Sequence, residues 1–189
     1  KHRVMVATDP SKRLSKLGLD AASPEEFAAI SNLQSALIMQ WYSKIDPSKT
    51  DFLFLAALLQ ETGKILIADE IVKNNETYQF KSEIENSTNI ADVERMFVRI
   101  TSSEVAALIF KHWKFEEKMV EAIAYSDALG AIPDEIRPYA FALKVAKTAI
   151  PINSPLSERS VNLALKLLEK EELDQNTFLD VVDKLKESY

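Results

Sequence analysis

The sequence predicts an all-α protein, a compact multi-helix bundle with no significant β-sheet. Its 189 residues include only 3 glycines and 7 prolines, which is little material for the tight turns and bulges of all-β folds. Hydrophobic residues make up 47% of the chain and charged residues 28%, so one sizeable core can form. Along most of the chain, apolar residues also recur at helical spacing.

The N-terminal segment is weakly patterned. Residues 1–22 contain a short apolar run, then Pro10 and several basic residues, and we interpret them as the remnant of an upstream helical region. Because the chain starts with Lys1 rather than Met, we expect it to begin inside a longer protein. The first clear helix starts at Ser23, where a capping hydroxyl precedes Pro24 and two acidic residues that favour a helix N-terminus.

Two apolar helices are predicted to form the centre of the bundle. The first carries an apolar face from Phe27 to Trp41 and ends before Asp46, which caps the next helix. The second is apolar from residue 52 to residue 71, which is typical of a buried central helix. Gly63 lies inside it at a cost of about 1 kcal/mol relative to Ala, so we interpret it as a glycine required by close packing.

The remaining helices are predicted from caps and breaks. The polar segment 73–89 favours loops around one short helix, and Thr101 with Glu104 forms a capping box. Gly130 and Pro133 interrupt the chain before the next helix. The other predicted helices cover residues 90–98, 101–113, 116–128, 135–150, 157–171 and 176–188.

The chain is predicted to form a single helical domain, residues 1–189. It shows no internal repeat, no low-complexity tract and no clear linker. Within it we distinguish the N-terminal remnant, a core of residues 23–150 and a C-terminal helical pair in residues 151–189.

Composition disfavours several classes of function. The net charge of −6 and the pI near 5.1 disfavour nucleic acid as a partner, since phosphate backbones are bound by Lys and Arg. The absence of cysteine excludes disulfides, thiolate nucleophiles and Cys-ligated zinc, and it fits a reducing compartment. No apolar run approaches the roughly 20 residues of a membrane span, so we expect no membrane partner and a cytoplasmic location.

Residues suited to catalysis are also scarce. The chain has 2 histidines, His2 near the N-terminus and His112 beside a tryptophan, which are too few to build a metal site on imidazoles. No Gly-x-Ser-x-Gly pattern marks a nucleophile, and the glycines are too far apart to form a phosphate-binding loop. We therefore predict no catalytic residue, no metal and no cofactor.

Two separated blocks of sequence nevertheless resemble a known family. Residues 58–67 read LLQETGKILI and resemble the HDOD subgroup of bacterial signal-output domains in the HD superfamily, whose helix typically reads Leu-Leu-His-Asp-x-Gly-Lys. Residues 102–106, 113–117 and 122–127 are similar to the family's His-x-x-x-Gly, Trp-Gly-Leu-Pro and Tyr-His-His stretches. The resemblance covers about residues 23–150 and implies the same helical fold.

The resemblance also implies where a metal site would lie. Positions that bear ligands in metal-binding members correspond here to Ser31, Gln60, Glu61, Ser103, Ser126 and Asp127, and the last acidic ligand falls near Lys147. Amide and hydroxyl groups bind metals weakly, and a lysine opposes a cation. We therefore interpret the metal-ligand motifs as degenerate.

Several of these residues also have simpler interpretations. For Gln60 and Glu61 we favour the exposed edge of the central helix, or a hydrogen bond to a neighbour, over ligand binding. For Lys64 we favour a solvated side chain or an ion pair with Glu61 over a bound anion. Trp41 and Trp113 are predicted to be core-edge aromatics rather than a binding cage.

Three functions are compatible with these observations. The favoured one is a non-catalytic regulatory module, not an enzyme, that binds a protein partner in a bacterial signalling pathway. The alternative is a small-molecule sensor that binds a nucleotide or another metabolite in the vacated pocket. A residual metal-dependent phosphohydrolase with Glu61 as its base is the weakest of the three. The residues assigned to the vacated pocket are Ser31, Gln60, Glu61, Lys64, Ser103, Ser126 and Asp127.

Overall fold

The computed structural model describes residues 24–188, so the predicted N-terminal remnant lies outside the described residues. Within this range the chain forms α-helices and one short 3₁₀ helix, with no β-strand, and the predicted all-α fold is confirmed. No helix between residues 24 and 188 combines the length and the apolar composition needed to cross a membrane. The helices are α1 Pro24–Tyr42, α2 Pro47–Leu59, the 3₁₀ helix Gln60–Thr62, α3 Gly63–Lys73, α4 Thr77–Asn86, α5 Ile90–Val98, α6 Ser102–His112, α7 Glu117–Tyr125, α8 Arg137–Ala149, α9 Glu158–Lys170 and α10 Gln175–Ser188.

Side-chain caps set the starts of several helices. The Asp46 carboxylate accepts a hydrogen bond from the backbone N–H of Ser48 at the start of α2. At the start of α5 the Asn89 amide oxygen accepts one from the backbone N–H of Ala91. At α6 the predicted capping box is confirmed, because Thr101 and Glu104 each accept the other's backbone N–H. These local caps explain why the helix starts predicted from the sequence lie close to the observed ones.

The central apolar helix predicted over residues 52–71 is interrupted, so that prediction is wrong. The 3₁₀ helix Gln60–Thr62 separates α2 from α3. The break lies where Gly63 meets α6. A Cβ on this glycine would lie 1.8 Å from the Ser102 carbonyl oxygen, so the two backbones are in direct contact here. A local apolar pattern carries no signal of this long-range approach. The interpretation of Gly63 as a packing glycine is confirmed.

Two further helix limits differ from the prediction. The helix predicted over residues 116–128 ends at Tyr125, where the Ser126 hydroxyl donates to the Ile123 carbonyl in a closing turn. The helix predicted over residues 135–150 begins only at Arg137, which places Pro138 in its first turn, where a missing N–H costs nothing.

One continuous core joins the N-terminal and C-terminal helices. Buried apolar side chains run from Ile30 in α1 to Leu185 in α10. The Trp41 ring is completely buried and meets Phe178 of α10 edge to face, with 5.3 Å between the ring centroids. The prediction of a core-edge position is therefore wrong for Trp41, which lies inside the core. Trp113 is 61% exposed and packs against buried Phe110, at the edge of the core as predicted.

Candidate functional site

A cluster of polar side chains lies in the middle of the bundle, a place that apolar side chains usually fill. Six helical segments contribute to it, and the turn after α7 supplies two more side chains. We call the set the polar cluster: Gln34, Gln60, Glu61, Lys64, Glu94, Ser102, Ser103, Ser126, Asp127 and Lys147.

The Lys64 ammonium group forms the first half of the polar cluster. Its nitrogen lies 3.1 Å from Glu61 Oε2 and 3.6 Å from Glu94 Oε1. It also donates to Ser102 Oγ at 3.0 Å. The Ser102 backbone N–H in turn donates to Glu94 Oε2 at 2.6 Å. The ammonium group therefore donates one hydrogen bond and lies within ion-pair distance of two carboxylates, which share its one positive charge.

The Lys147 ammonium group forms the second half. It donates to Ser103 Oγ at 2.6 Å and forms an ion pair with Asp127 Oδ2. The Ser103 hydroxyl lies 2.5 Å from the same carboxylate oxygen and 3.0 Å from Ser126 Oγ. The Arg95 guanidinium donates to the Asp127 backbone oxygen and so holds the turn after α7 in place.

Two glutamines connect the polar cluster to α1. Gln34 Nε2 donates to Glu61 Oε1 at 3.0 Å and to the Ile150 carbonyl at 2.9 Å. Gln34 Oε1 accepts from Gln60 Nε2 at 2.8 Å. Ser31, one turn earlier on α1, is buried, and its hydroxyl has no hydrogen-bond partner in the described part of the chain. The structure therefore brings six of the seven predicted pocket residues into the polar cluster and leaves Ser31 out of its hydrogen bonds.

The charges of the polar cluster shift the pKa values of its members. Burial alone would raise the pKa of Asp127, but the Lys147 ammonium and the hydrogen bonds from Lys147 and Ser103 lower it to about 2. The pKa of Glu61 is also lowered, because the two lysines and Gln34 outweigh the effect of burial. The pKa of Lys64 is raised against burial by Glu61, Glu94 and Asp127. These groups are therefore ionised at neutral pH.

The positions of Gln60, Glu61 and Lys64 correct part of the sequence interpretation. Gln60 and Glu61 are 0% and 2% exposed, so an exposed helix edge is wrong, whereas the alternative of hydrogen bonds to a neighbour is confirmed. Lys64 is buried, so a solvated side chain is wrong, and the ion pair with Glu61 is confirmed.

Sequence reasoning missed Gln34, Glu94 and Ser102. Each lies on the buried side of a helix that is otherwise apolar there, and a polar residue within an apolar stripe is the signal that would have found the first two. Ser102 follows a capping residue, where serine is common, so its sequence position carries no such signal.

The residues of the polar cluster do not fit a metal ion. The ammonium groups of Lys64 and Lys147 lie among its carboxylates, where they would repel a cation. The remaining side chains are amides and hydroxyls, which are weak ligands. Between residues 24 and 188, no three His, Cys, Asp or Glu side chains are grouped closely enough to hold a metal. His112 is exposed at the end of α6, and His2 lies outside the described residues.

A cavity of about 110 Å³ opens beside the polar cluster. Its inner wall includes Glu61, Lys64, Ser102, Asp127 and Lys147. Its outer wall is formed by the loop before α5, by the loop between α8 and α9, and by Arg159 in the first turn of α9. The cavity therefore joins the buried charges to the protein surface.

Comparison with known proteins agrees with this fold. A virulence factor from Campylobacter jejuni subsp. jejuni, known from its crystal structure, superposes with a TM-score of 0.70 at 20% sequence identity, over 98% of this chain and 70% of that chain. At that identity the likeness concerns the fold alone. No curated protein is significantly similar to the chain. The HDOD domain family matches residues 15–129, which is more than half of the chain and is consistent with a regulatory or signalling module. The chain therefore belongs to the HDOD domain family.

Proposed function

We propose that the chain is a non-catalytic module of bacterial signal transduction that acts by binding a protein partner. One observation carries the proposal: the ammonium groups of Lys64 and Lys147 lie among the carboxylates of the polar cluster, near the positions that correspond to metal ligands in the wider superfamily. Two built-in cations thus offset part of the negative charge that a metal would otherwise balance.

The same arrangement leaves little capacity for hydrolysis. Metal-dependent hydrolysis uses the cation to activate water and to polarise the substrate, and an ammonium group does neither. Glu61 as a general base would need a pKa close to the working pH, but its pKa is lowered, and both of its oxygens face Gln34 and Lys64. A proton acceptor held in this way is a weak base.

Metal content and turnover test the non-catalytic half of the proposal. Purified protein would be analysed by elemental mass spectrometry, then assayed on phosphomonoesters, phosphodiesters and nucleotides with added Mn²⁺, Mg²⁺ or Fe²⁺. We expect no stoichiometric metal and equal background rates for the wild type and Glu61→Gln. Turnover that requires metal and is lost in Glu61→Gln would support the residual phosphohydrolase instead.

An exposed pair of aromatic rings supports the protein-binding half. Trp113 and Phe115, which we call the aromatic surface, are 61% and 37% exposed. Both rings pack against buried Phe110, with centroid distances of 6.0 Å and 5.1 Å, and this packing restricts their orientation on the surface. Aromatic side chains anchored in this way are common centres of protein interfaces.

Affinity capture with matched variants tests this surface. A tagged protein would be cross-linked in cells of the source bacterium, and its partners identified by mass spectrometry. We expect Trp113→Ser to lose a partner that Tyr78→Ser retains, because Tyr78 is 82% exposed on a different helix, α4. Equal capture by both variants would exclude the aromatic surface, and no specific capture by the wild type would count against a protein partner.

The cavity favours a second candidate function, a small-molecule sensor. The sequence predicts a vacated pocket among the degenerate ligand positions. Lys64 and Lys147 occupy the space between those positions, and the open cavity lies beside them. A ligand that binds only the folded state raises the melting temperature. Thermal-shift measurements with nucleotides and other metabolites therefore test the sensor, and no stabilisation at high ligand concentration would count against it.

A further inference from the structure

The cavity beside the polar cluster has a buried floor and an exposed rim. Glu61, Lys64 and Ser102 are buried, and the Asp127 side chain is only 9% exposed. Arg159 at the rim is exposed. A molecule that enters the cavity would therefore leave water at one end and meet fixed polar groups at the other.

The floor retains hydrogen-bonding capacity that the described protein groups do not use. Asp127 Oδ2 accepts from both Ser103 and Lys147, whereas no group within residues 24–188 donates to Asp127 Oδ1. Lys147 donates to Ser103 and Asp127, and Lys64 donates to Ser102 and pairs with Glu61 and Glu94. The free carboxylate oxygen is the strongest feature of the floor, because Asp127 lines the cavity and an ionised carboxylate is a strong hydrogen-bond acceptor.

The rim offers the opposite chemistry. Arg159 Nη2 donates to the Ser87 carbonyl at 3.1 Å, which fixes the guanidinium across the mouth of the cavity. Its other N–H groups have no partner among the described residues. A guanidinium with free parallel N–H groups recognises carboxylates and phosphates well. The rim therefore suits a negatively charged group.

The charges around the cavity are balanced. Its lining, within the described part of the chain, carries the carboxylates Glu61, Glu85 and Asp127 and the basic groups Lys64, Lys147 and Arg159. The basic groups would repel a simple cation, and the carboxylates would repel a simple anion, so the lining favours neither. A ligand with one charge of each sign can meet both. The volume of about 110 Å³ is below the roughly 300 Å³ at which drug-sized pockets begin.

We propose that this cavity binds a small zwitterionic metabolite of the amino-acid class, whose ammonium group donates to Asp127 Oδ1, the oxygen that Lys147 and Ser103 leave free, and whose carboxylate or phosphate group meets Arg159. The inference rests on the second candidate function, the sensor, and narrows its ligand. It disfavours a whole nucleotide inside the cavity, since a nucleotide is larger and carries net negative charge.

A series of zwitterions of increasing length tests the proposal. Glycine, β-alanine, γ-aminobutyrate and phosphoethanolamine would be compared, by thermal shift and amide NMR, with acetate, butyrate and butylammonium at equal ionic strength. We expect at least one zwitterion to raise the melting temperature and to shift the resonances of residues around the cavity. The ligands with a single charged end should do neither at the same concentration.

Variants locate the site. Asp127→Asn and Arg159→Gln should each weaken binding at least about tenfold, the size of effect that loss of a charge-assisted hydrogen bond produces. Arg99→Gln is the matched control, because Arg99 is another exposed arginine and does not line the cavity. Arg159→Gln keeps the test decisive if Asp127→Asn fails to fold, since Arg159 is exposed.

The outcomes separate the two proposals. Binding of nucleotides without any zwitterion would overturn this inference and leave the sensor intact. Binding of neither class would count against both. Zwitterion binding that Arg159→Gln does not weaken would occur elsewhere on the protein and would also overturn the inference.

Discussion

The ammonium nitrogen of Lys64 lies 3.1 Å from Glu61 Oε2, although both side chains are buried in the centre of a helical bundle. Such a pair is costly to desolvate, and it persists only where further hydrogen bonds satisfy each group. Gln34 supplies one to Glu61, and Ser102 accepts one from Lys64. The pair is therefore one link of a larger network.

Removal of the Lys64 charge should destabilise the fold strongly. Lys64→Met keeps the approximate volume but leaves Glu61 and Glu94 buried without their shared cation, at an expected cost of about 3–5 kcal/mol in the free energy of unfolding. Urea denaturation measures it. The control Lys73→Met affects an exposed ion pair with Asp69 and should cost no more than about 0.5 kcal/mol. Equal effects of the two variants would contradict the importance of the buried pair.

Asp127 should make the free energy of unfolding decrease at low pH. Its folded pKa of about 2 lies below the ordinary value of 3.8, so its contribution is complete above about pH 4 and is lost as the pH falls through 2. The pKa difference corresponds to about 2 kcal/mol. Denaturation at a series of pH values between 5 and about 2 measures the slope. Asp127→Asn should flatten it, and a variant that follows the wild-type slope would contradict the assignment.

Gly63 should tolerate no side chain. In Gly63→Ala the new methyl carbon would lie 1.8 Å from the Ser102 carbonyl oxygen and 2.9 Å from the Ala106 nitrogen, so α3 and α6 would have to separate. We expect a loss of at least about 3 kcal/mol, the upper part of the range for overpacking. Gly130→Ala is the control, because no atom lies within 4 Å of its added carbon. Its effect should stay within about 0.5 kcal/mol.

The C-terminal helix should be essential to stability. Phe178→Ala removes a buried ring that meets Trp41 edge to face and should cost about 3–5 kcal/mol. Chemical denaturation measures the loss. Leu129→Ala, at a side chain that is 77% exposed, should change stability by less than about 0.5 kcal/mol. A Phe178→Ala protein as stable as the wild type would mean that α10 packs only peripherally.

The parts of the fold that local sequence determines were predictable. The box formed by Thr101 and Glu104 spans one helical turn, and the turn after Asp46 likewise depends on adjacent residues. The break at Gln60 was not predictable, because it accompanies a contact between Gly63 and a helix that starts 39 residues later, at Ser102. Local patterns hold no information about which backbones meet.

The candidate site divides in the same way. The resemblance located Glu61, Ser103 and Asp127, since they occupy recognisable motifs. It could not give their burial or their partners, because Gln34 lies 27 residues before Glu61, and Lys147 lies 20 residues after Asp127. Only tertiary packing brings α1 to the 3₁₀ helix, where Gln34 meets Glu61, and α8 to the turn after α7, where Lys147 meets Asp127.

Because the positive charges that face Glu61, Glu94 and Asp127 belong to lysine side chains, they are covalently tethered to the polypeptide. Their local concentration is fixed by the chain and does not vary with the supply of free ions. We expect this region to assemble as soon as the helices dock, and EDTA to leave its melting temperature unchanged.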